Sequence, residues 1–137
     1  MTRRALAVLT LALLAALLAP GCASSPPLAP GETDYASGSG VLTAVEKASY
    51  EATASAAKKG MESLRLKPFE RKKDGFETLI LGETVMGEIG QSHEVRVRVL
   101  RESETATRLE IRVVGRRDED RLRAIHASIH DALAASG

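Results

Sequence analysis

Val95, Val97 and Val99 alternate with Arg96 and Arg98, and Leu109, Ile111 and Val113 alternate with Arg108, Glu110 and Arg112. In a β-strand successive side chains point to opposite faces. Each stretch therefore predicts a strand with one buried aliphatic face and one wet, charged face. The link Glu102-Ser103-Glu104-Thr105 is short enough to close the two into an antiparallel hairpin. Strands buried on one side only need a covering layer, so the rest of the chain must supply it.

Two segments have the right pattern. Ser49 can cap a helix running to about Ser63, in which Tyr50, Ala54, Ala57, Met61 and Leu64 recur at spacings of 4, 3, 4 and 3, one helical face. Gly60 weakens its last turn by up to about 1 kcal/mol relative to Ala. Asp118 can cap a second helix whose stripe is Leu122, Ile125, Ile129, Ala132 and Leu133. Further strands are expected at Val41–Glu46, Phe69–Lys73 and Phe76–Leu81, with Asp74-Gly75 as a two-residue hairpin turn between the last two. The order is strand, helix, four antiparallel strands, helix. It predicts an α+β two-layer sandwich of about five strands with two helices on one face and the other face open. Residues 41–137 form this single domain. Its core is aliphatic, since the aromatics are limited to Tyr35, Tyr50, Phe69 and Phe76.

The first 40 residues read differently. Met1-Thr2-Arg3-Arg4 is a positive head, Ala5–Leu18 is apolar apart from Thr10, and Ala19-Pro20-Gly21 leads to Cys22, the one cysteine. This layout is that of a cleaved signal peptide, and Ala19-Pro20-Gly21-Cys22 resembles the lipobox of a bacterial lipoprotein precursor. The apolar run is shorter than the roughly 20 residues that span a bilayer. Cleavage of residues 1–21 and acylation of Cys22 are expected. Residues 22–40, with Pro26, Pro27, Pro30 and Ser37-Gly38-Ser39-Gly40, read as a tether. Ala23 follows the cysteine in place of the aspartate that resembles an inner-membrane retention signal, so the periplasmic face of the outer membrane is the expected location. Without residues 1–21 the chain carries 17 basic and 18 acidic side chains, and nothing in that balance suggests a nucleic-acid binder, which would carry a strongly basic face.

Candidate sites are few. His126 and His130 are four apart on the second helix, as in zinc-binding helices, but zinc normally takes three or four protein ligands and His93 is the remaining imidazole. They read as histidines at the flank of the apolar stripe, and no metal or cofactor is expected. Arg71-Lys72-Lys73 reads as a solvated turn. Arg96, Arg98, Arg108 and Arg112, with Glu94 and Glu110, share the wet sheet face. They suit either solubility or recognition of carboxylates and phosphates. Gly82–Gly90, carrying Val85, Met86 and Ile89, reads as a contact loop or as the extension of two strands into a long hairpin. No Ser-His-Asp set, carboxylate pair or phosphate-binding loop is discernible, so no enzyme is expected.

Ala19-Pro20-Gly21-Cys22, the helix after Ser49-Tyr50, Lys73-Asp74-Gly75-Phe76, the two alternating strands and the closing helix with Asp131-Ala132-Leu133 together resemble a family of small bacterial lipoproteins, domain of unknown function 3568. The resemblance implies no activity and no functional residues. The element order is also similar to the helix-grip domains of the lipoprotein subunit associated with outer-membrane β-barrel assembly, an analogy of fold alone. The expected function is a membrane-anchored, non-catalytic interaction or accessory module. It would be held to the bilayer through acylated Cys22 and would present Arg96, Arg98, Arg108, Arg112, Val85, Met86 or Ile89 to an envelope protein. The alternative is a small-molecule or lipid binder with a cavity between sheet and helices.

Overall fold

The alternating stretches become the centre of one sheet. The computed structural model describes residues 27–36, 38–84 and 94–137. Its elements are β1 (Thr33–Ala36), β2 (Val41–Glu46), α1 (Tyr50–Ser63), β3 (Leu66–Lys73), β4 (Glu77–Thr84), β5 (Val95–Arg101), β6 (Thr107–Val113) and α2 (Glu119–Ala134). The strands form a six-stranded sheet in the order β1-β2-β6-β5-β4-β3, with every neighbouring pair antiparallel. One register row, Ile80-Val97-Ile111-Leu42-Tyr35, crosses five strands on the helix side. The adjacent row, Leu79-Arg98-Glu110-Thr43-Asp34, lies on the open side. Helix α1 packs on β3, β4 and β5, and α2 on β2 and β6. The fold is the expected two-layer α+β sandwich with one strand more.

The added strand is β1. Thr33–Ala36 lies within the stretch read as tether, yet it pairs with β2 and turns its Tyr35 ring against the core. Its sequence is polar and flanked by proline and glycine, so no alternation marks it. The backbone continues the pairing beyond the strand, with Gly31 N–H donating to Val45 O at 2.6 Å and Val45 N–H to Glu32 O at 3.0 Å.

Local chemistry sets the element ends. The Ser49 hydroxyl accepts from Ala52 N–H, and the Asp118 carboxylate accepts from Arg121 N–H at 3.0 Å, so both expected caps are made. Leu64 leaves the predicted apolar face and is 40% exposed. It is the C-cap of α1, and the following Arg65 has φ 59°, a left-handed residue that turns the chain into β3. At the β3–β4 turn the Asp74 carboxylate accepts from both Phe76 N–H and Glu77 N–H. Phe76 therefore belongs to the turn and not to the strand. At the sheet edge, β3 carries Pro68 and an irregularity between Glu70 and Lys72, features that deter edge-to-edge pairing.

The two helix backbones come into near-contact at Gly60. A Cβ there would lie 2.8 Å from Ile129 N and 2.9 Å from Ile129 Cα, distances that a backbone cannot relieve by a side-chain rotation. The Gly60 carbonyl accepts from the hydroxyls of Ser63, at 2.8 Å, and Ser128, at 2.9 Å. Gly60 is thus the contact point of the helix layer, and the helix-propensity penalty read from sequence is the smaller effect. Gly60→Ala gains up to about 1 kcal/mol in propensity but overpacks a rigid contact, an effect costing typically about 1–3 kcal/mol and sometimes more. The expected outcome in urea denaturation is a net loss of stability. Gly75→Ala, where a Cβ meets nothing within 4 Å, should stay within about 0.5 kcal/mol of the parent.

Candidate functional site

The alternation of β2 puts Leu42, Ala44 and Glu46 on the helix side of the sheet. The first two are core residues. The third places a carboxylate on the apolar face, where it is 5% exposed. Burying a charge this far is costly unless hydrogen bonds compensate it. Helix α2 supplies them from two side chains one turn apart. His126 Nε2 lies 2.6 Å from Glu46 Oε1, and His130 Nδ1 lies 3.0 Å from Oε2. The hydrogen bond from His126 holds the Glu46 carboxyl below its usual range; desolvation opposes it, and the bond from His130 adds to it. An ionised carboxylate only accepts, so His126 donates from Nε2 and His130 from Nδ1.

This cluster joins strand to helix across 80 residues of sequence. His126 is largely covered, whereas the His130 side chain is 63% exposed. Beside it opens a cleft of about 320 Å³ that is also lined by Gly31, Glu32, Thr33 and Asp131. The two rings contact different carboxylate oxygens, with centroids 6.2 Å apart. Among the described residues, no group of three or more histidine, cysteine, aspartate or glutamate side chains is arranged to hold a metal ion. The two histidines were legible as a pair. Their partner was not, because nothing around Glu46 in sequence distinguishes it from a strand's last residue.

The four arginines named from sequence lie on the open face. Three are held by carboxylates of the same chain. Arg98 bridges Glu77, at 3.1 Å, and Glu110, at 2.6 Å; Arg108 meets Glu102 and Arg96 meets Glu94, both at 2.5 Å. These pairs are exposed and each contributes about 0–1 kcal/mol. Their effect is to hold planar guanidiniums in fixed positions. Arg112 has no carboxylate partner among the described residues and stands directly opposite Arg96 in the β5–β6 register. The same face carries Leu79, Leu81 and Phe69, the last 63% exposed. Phe76 at the adjoining turn is 74% exposed. Both phenylalanines of the chain are therefore at the surface, on the β3–β4 hairpin.

Gly82, Glu83 and Thr84 of the glycine-punctuated segment belong to β4. A Cβ on Gly82 would fall 2.3 Å from Met61 Cε, so this glycine leaves room for the methionine of α1. Val85, Met86, Ile89, His93 and Cys22 lie outside the described residues. No helix among the described residues is long and apolar enough to cross a membrane.

Comparison with known proteins adds a family. Residues 4–132 match the family described as "Protein of unknown function (DUF3568)", and the chain belongs to it. No curated protein matches the chain.

The Glu46 cluster has a pH signature. A carboxyl held below its unfolded value of about 4.5 contributes stability that is fully present above that value and lost as pH falls through the folded one. Glu46→Gln removes the charge and leaves one ring N–H facing an amide donor. It should lower stability at pH 7 by about 1–3 kcal/mol, with the gap to the parent closing as pH falls below the unfolded value of about 4.5 and on through the lowered folded one. Urea midpoints measured across that range check this. A gap that is constant with pH would show that the carboxylate charge is not what the histidines hold.

Proposed function

For this member of a family without an assigned activity, we propose a lipid-anchored envelope protein whose domain is a non-catalytic docking module for another envelope protein. In this reading residues 1–21 are removed, Cys22 is acylated, and the domain is held at the periplasmic face of the outer membrane. The positive head, the apolar run and Ala19-Pro20-Gly21-Cys22 support the anchor. The order from β2 onward, strand–helix–four strands–helix, supports a relation to the helix-grip domains of the β-barrel assembly lipoprotein.

The observation that carries the docking reading is the composition of the uncovered sheet face. A chain with two phenylalanines leaves both exposed while its core is built almost wholly from Leu, Ile, Val, Ala and Met. Phe69 stands beside Leu81, and Leu81 beside Arg96. Aromatic and arginine side chains on a rigid scaffold are the residue types that dominate protein–protein binding energy. The partner surface that fits them is apolar at its centre with acidic groups at its rim. The close packing of sheet and helices at Gly82 and Met61 supports this reading over a ligand held between the layers. The converging titratable groups, Glu46, His126 and His130, direct their hydrogen bonds to one another, which supports a non-catalytic role.

In-cell photo-crosslinking tests the proposal, with the probe at Phe69, Arg98 or, on the exposed side of α2, Ala124. The expected result is one protein adduct shared by Phe69 and Arg98, absent from Ala124, and lost from the Arg98 probe on Phe69→Ser. Intact-mass spectrometry of the adduct should find the chain starting at acylated Cys22. Equal labelling from all three positions, or none from the sheet face, would overturn the docking reading. A free Cys22 thiol or retained residues 1–21 would overturn the anchor.

A further inference from the structure

The corner of the open face where β5 begins and β6 ends holds a second cavity, of about 350 Å³. Arg96 and Arg112 enter it from the sheet, Arg116 and Arg117 from the loop that leads to α2, and Gly40 and Gly115 form part of its wall. No aspartate or glutamate lines it. In contrast, the cleft beside His126 includes Glu32, Glu46 and Asp131 in its lining. We propose that the Arg96–Arg112–Arg116–Arg117 cavity is a binding site for a phosphate-bearing anion.

Four observations carry this. Arg96 and Arg112 are paired directly across β5 and β6, and like charges in that relation destabilise a sheet. Among the described residues two of the four arginines have carboxylate partners: Arg96 with Glu94 at 2.5 Å, and Arg116 with Asp118 at 3.4 Å. Arg112 and Arg117 have none, which leaves a net positive pair facing one space. The backbone makes room for the second of these: a Cβ on Gly40 would fall 3.1 Å from Arg117 Cγ. Gly40 at φ 64° and Gly115 at φ 76° are both in the left-handed region that favours glycine, so each sets a turn of the cavity wall, and of the two it is Gly40 whose missing side chain leaves space for Arg117.

The arrangement favours phosphate over carboxylate by the number of donors it offers. A carboxylate is a planar group with two oxygens, and one guanidinium fork satisfies it. Here four guanidiniums from two strands and a loop line one space, more donors than a carboxylate can use, whereas a phosphate offers three or more oxygens to them. The volume falls in the range of small-ligand sites, with room for an organic group attached to the phosphate. A phospholipid headgroup and a soluble phosphorylated metabolite share this chemistry. The site shares Arg96 with the docking face, but Arg112 and Arg117 belong to it alone, so a test at those two stands or falls independently of protein docking at Phe69.

The test uses the full chain in uncharged maltoside micelles at low ionic strength, with arginine Nε–H resonances followed by NMR. The probes are inorganic phosphate, glycerol 3-phosphate, and phosphatidylglycerol doped into the micelles. The expected result is saturable shifts at Arg112 and Arg117 with a Kd at or below about 1 mM for at least one probe. Arg112→Gln and Arg117→Gln should each weaken binding about tenfold or more. Arg108→Gln, whose guanidinium pairs with Glu102 outside the cavity, should leave it unchanged. Saturation by the soluble probes identifies a free phosphorylated ligand, and saturation by phosphatidylglycerol alone identifies a lipid headgroup. Without ligand, Arg112→Gln should melt no lower than the parent, because it relieves the repulsion with Arg96. The proposal is overturned if no phosphate probe saturates, if acetate binds as tightly, or if the Arg112→Gln, Arg117→Gln double variant binds as the parent does.

Discussion

The rest of the structure depends on the near-contact of two helix backbones at Gly60. An antiparallel sheet with one apolar face needs a cover, and this chain supplies it with two helices that must lie side by side over six strands. A side chain at position 60 would hold α2 away from α1, since the atoms it meets are the backbone of Ser128 and Ile129. With hydrogen there, Ile129 is fully buried and Ser128 reaches the Gly60 carbonyl. His126 and His130 flank that contact on successive turns of α2, so the position fixed by Gly60 also sets how those rings meet Glu46. Helix packing and the buried carboxylate are one constraint seen at two places.

Covering one face leaves the other to solvent, and its composition differs from what solubility alone requires. Exposed phenylalanines at one side and, at the opposite corner, arginines without carboxylate partners among the described residues are both unfavourable in isolation: the first exposes apolar area, the second sets like charges together. Such departures from the stable arrangement concentrate where a protein binds something. The two features lie on different parts of the sheet. Phe69 is on the edge strand β3, whereas Arg112 is on β6 beside β2. A docking contact at one and an anion at the other are compatible on the same surface.

Much of the fold was legible because its signals are local. The valine–arginine alternation of β5, the Ser49 and Asp118 caps and the apolar stripes of both helices each act within a few residues. What escaped depends on partners distant in sequence. Strand β1 has no apolar period and exists because β2 offers it an edge and a place for Tyr35. Glu46 looks like an ordinary strand terminus until α2 arrives from 80 residues away. Gly60 reads as a weak helical residue, and its value appears only against the backbone of Ile129. Arg116 and Arg117 carry no motif, and it is the turn after β6 that places them with Arg96 and Arg112 in one cavity. The open face was foreseen with its arginines, but not the internal carboxylates that hold three of them.

The claim that the Gly60 contact positions α2 over Glu46 is tested most directly by the tautomers of the two histidines. Long-range ¹H–¹⁵N spectra of the imidazoles report which ring nitrogen carries the proton. Fixed and opposite tautomers are expected at neutral pH, Nε2–H for His126 and Nδ1–H for His130. In Gly60→Ala both rings should move toward the mixture of an unrestrained imidazole. Unchanged tautomers in that variant, or averaged tautomers in the parent, would contradict it.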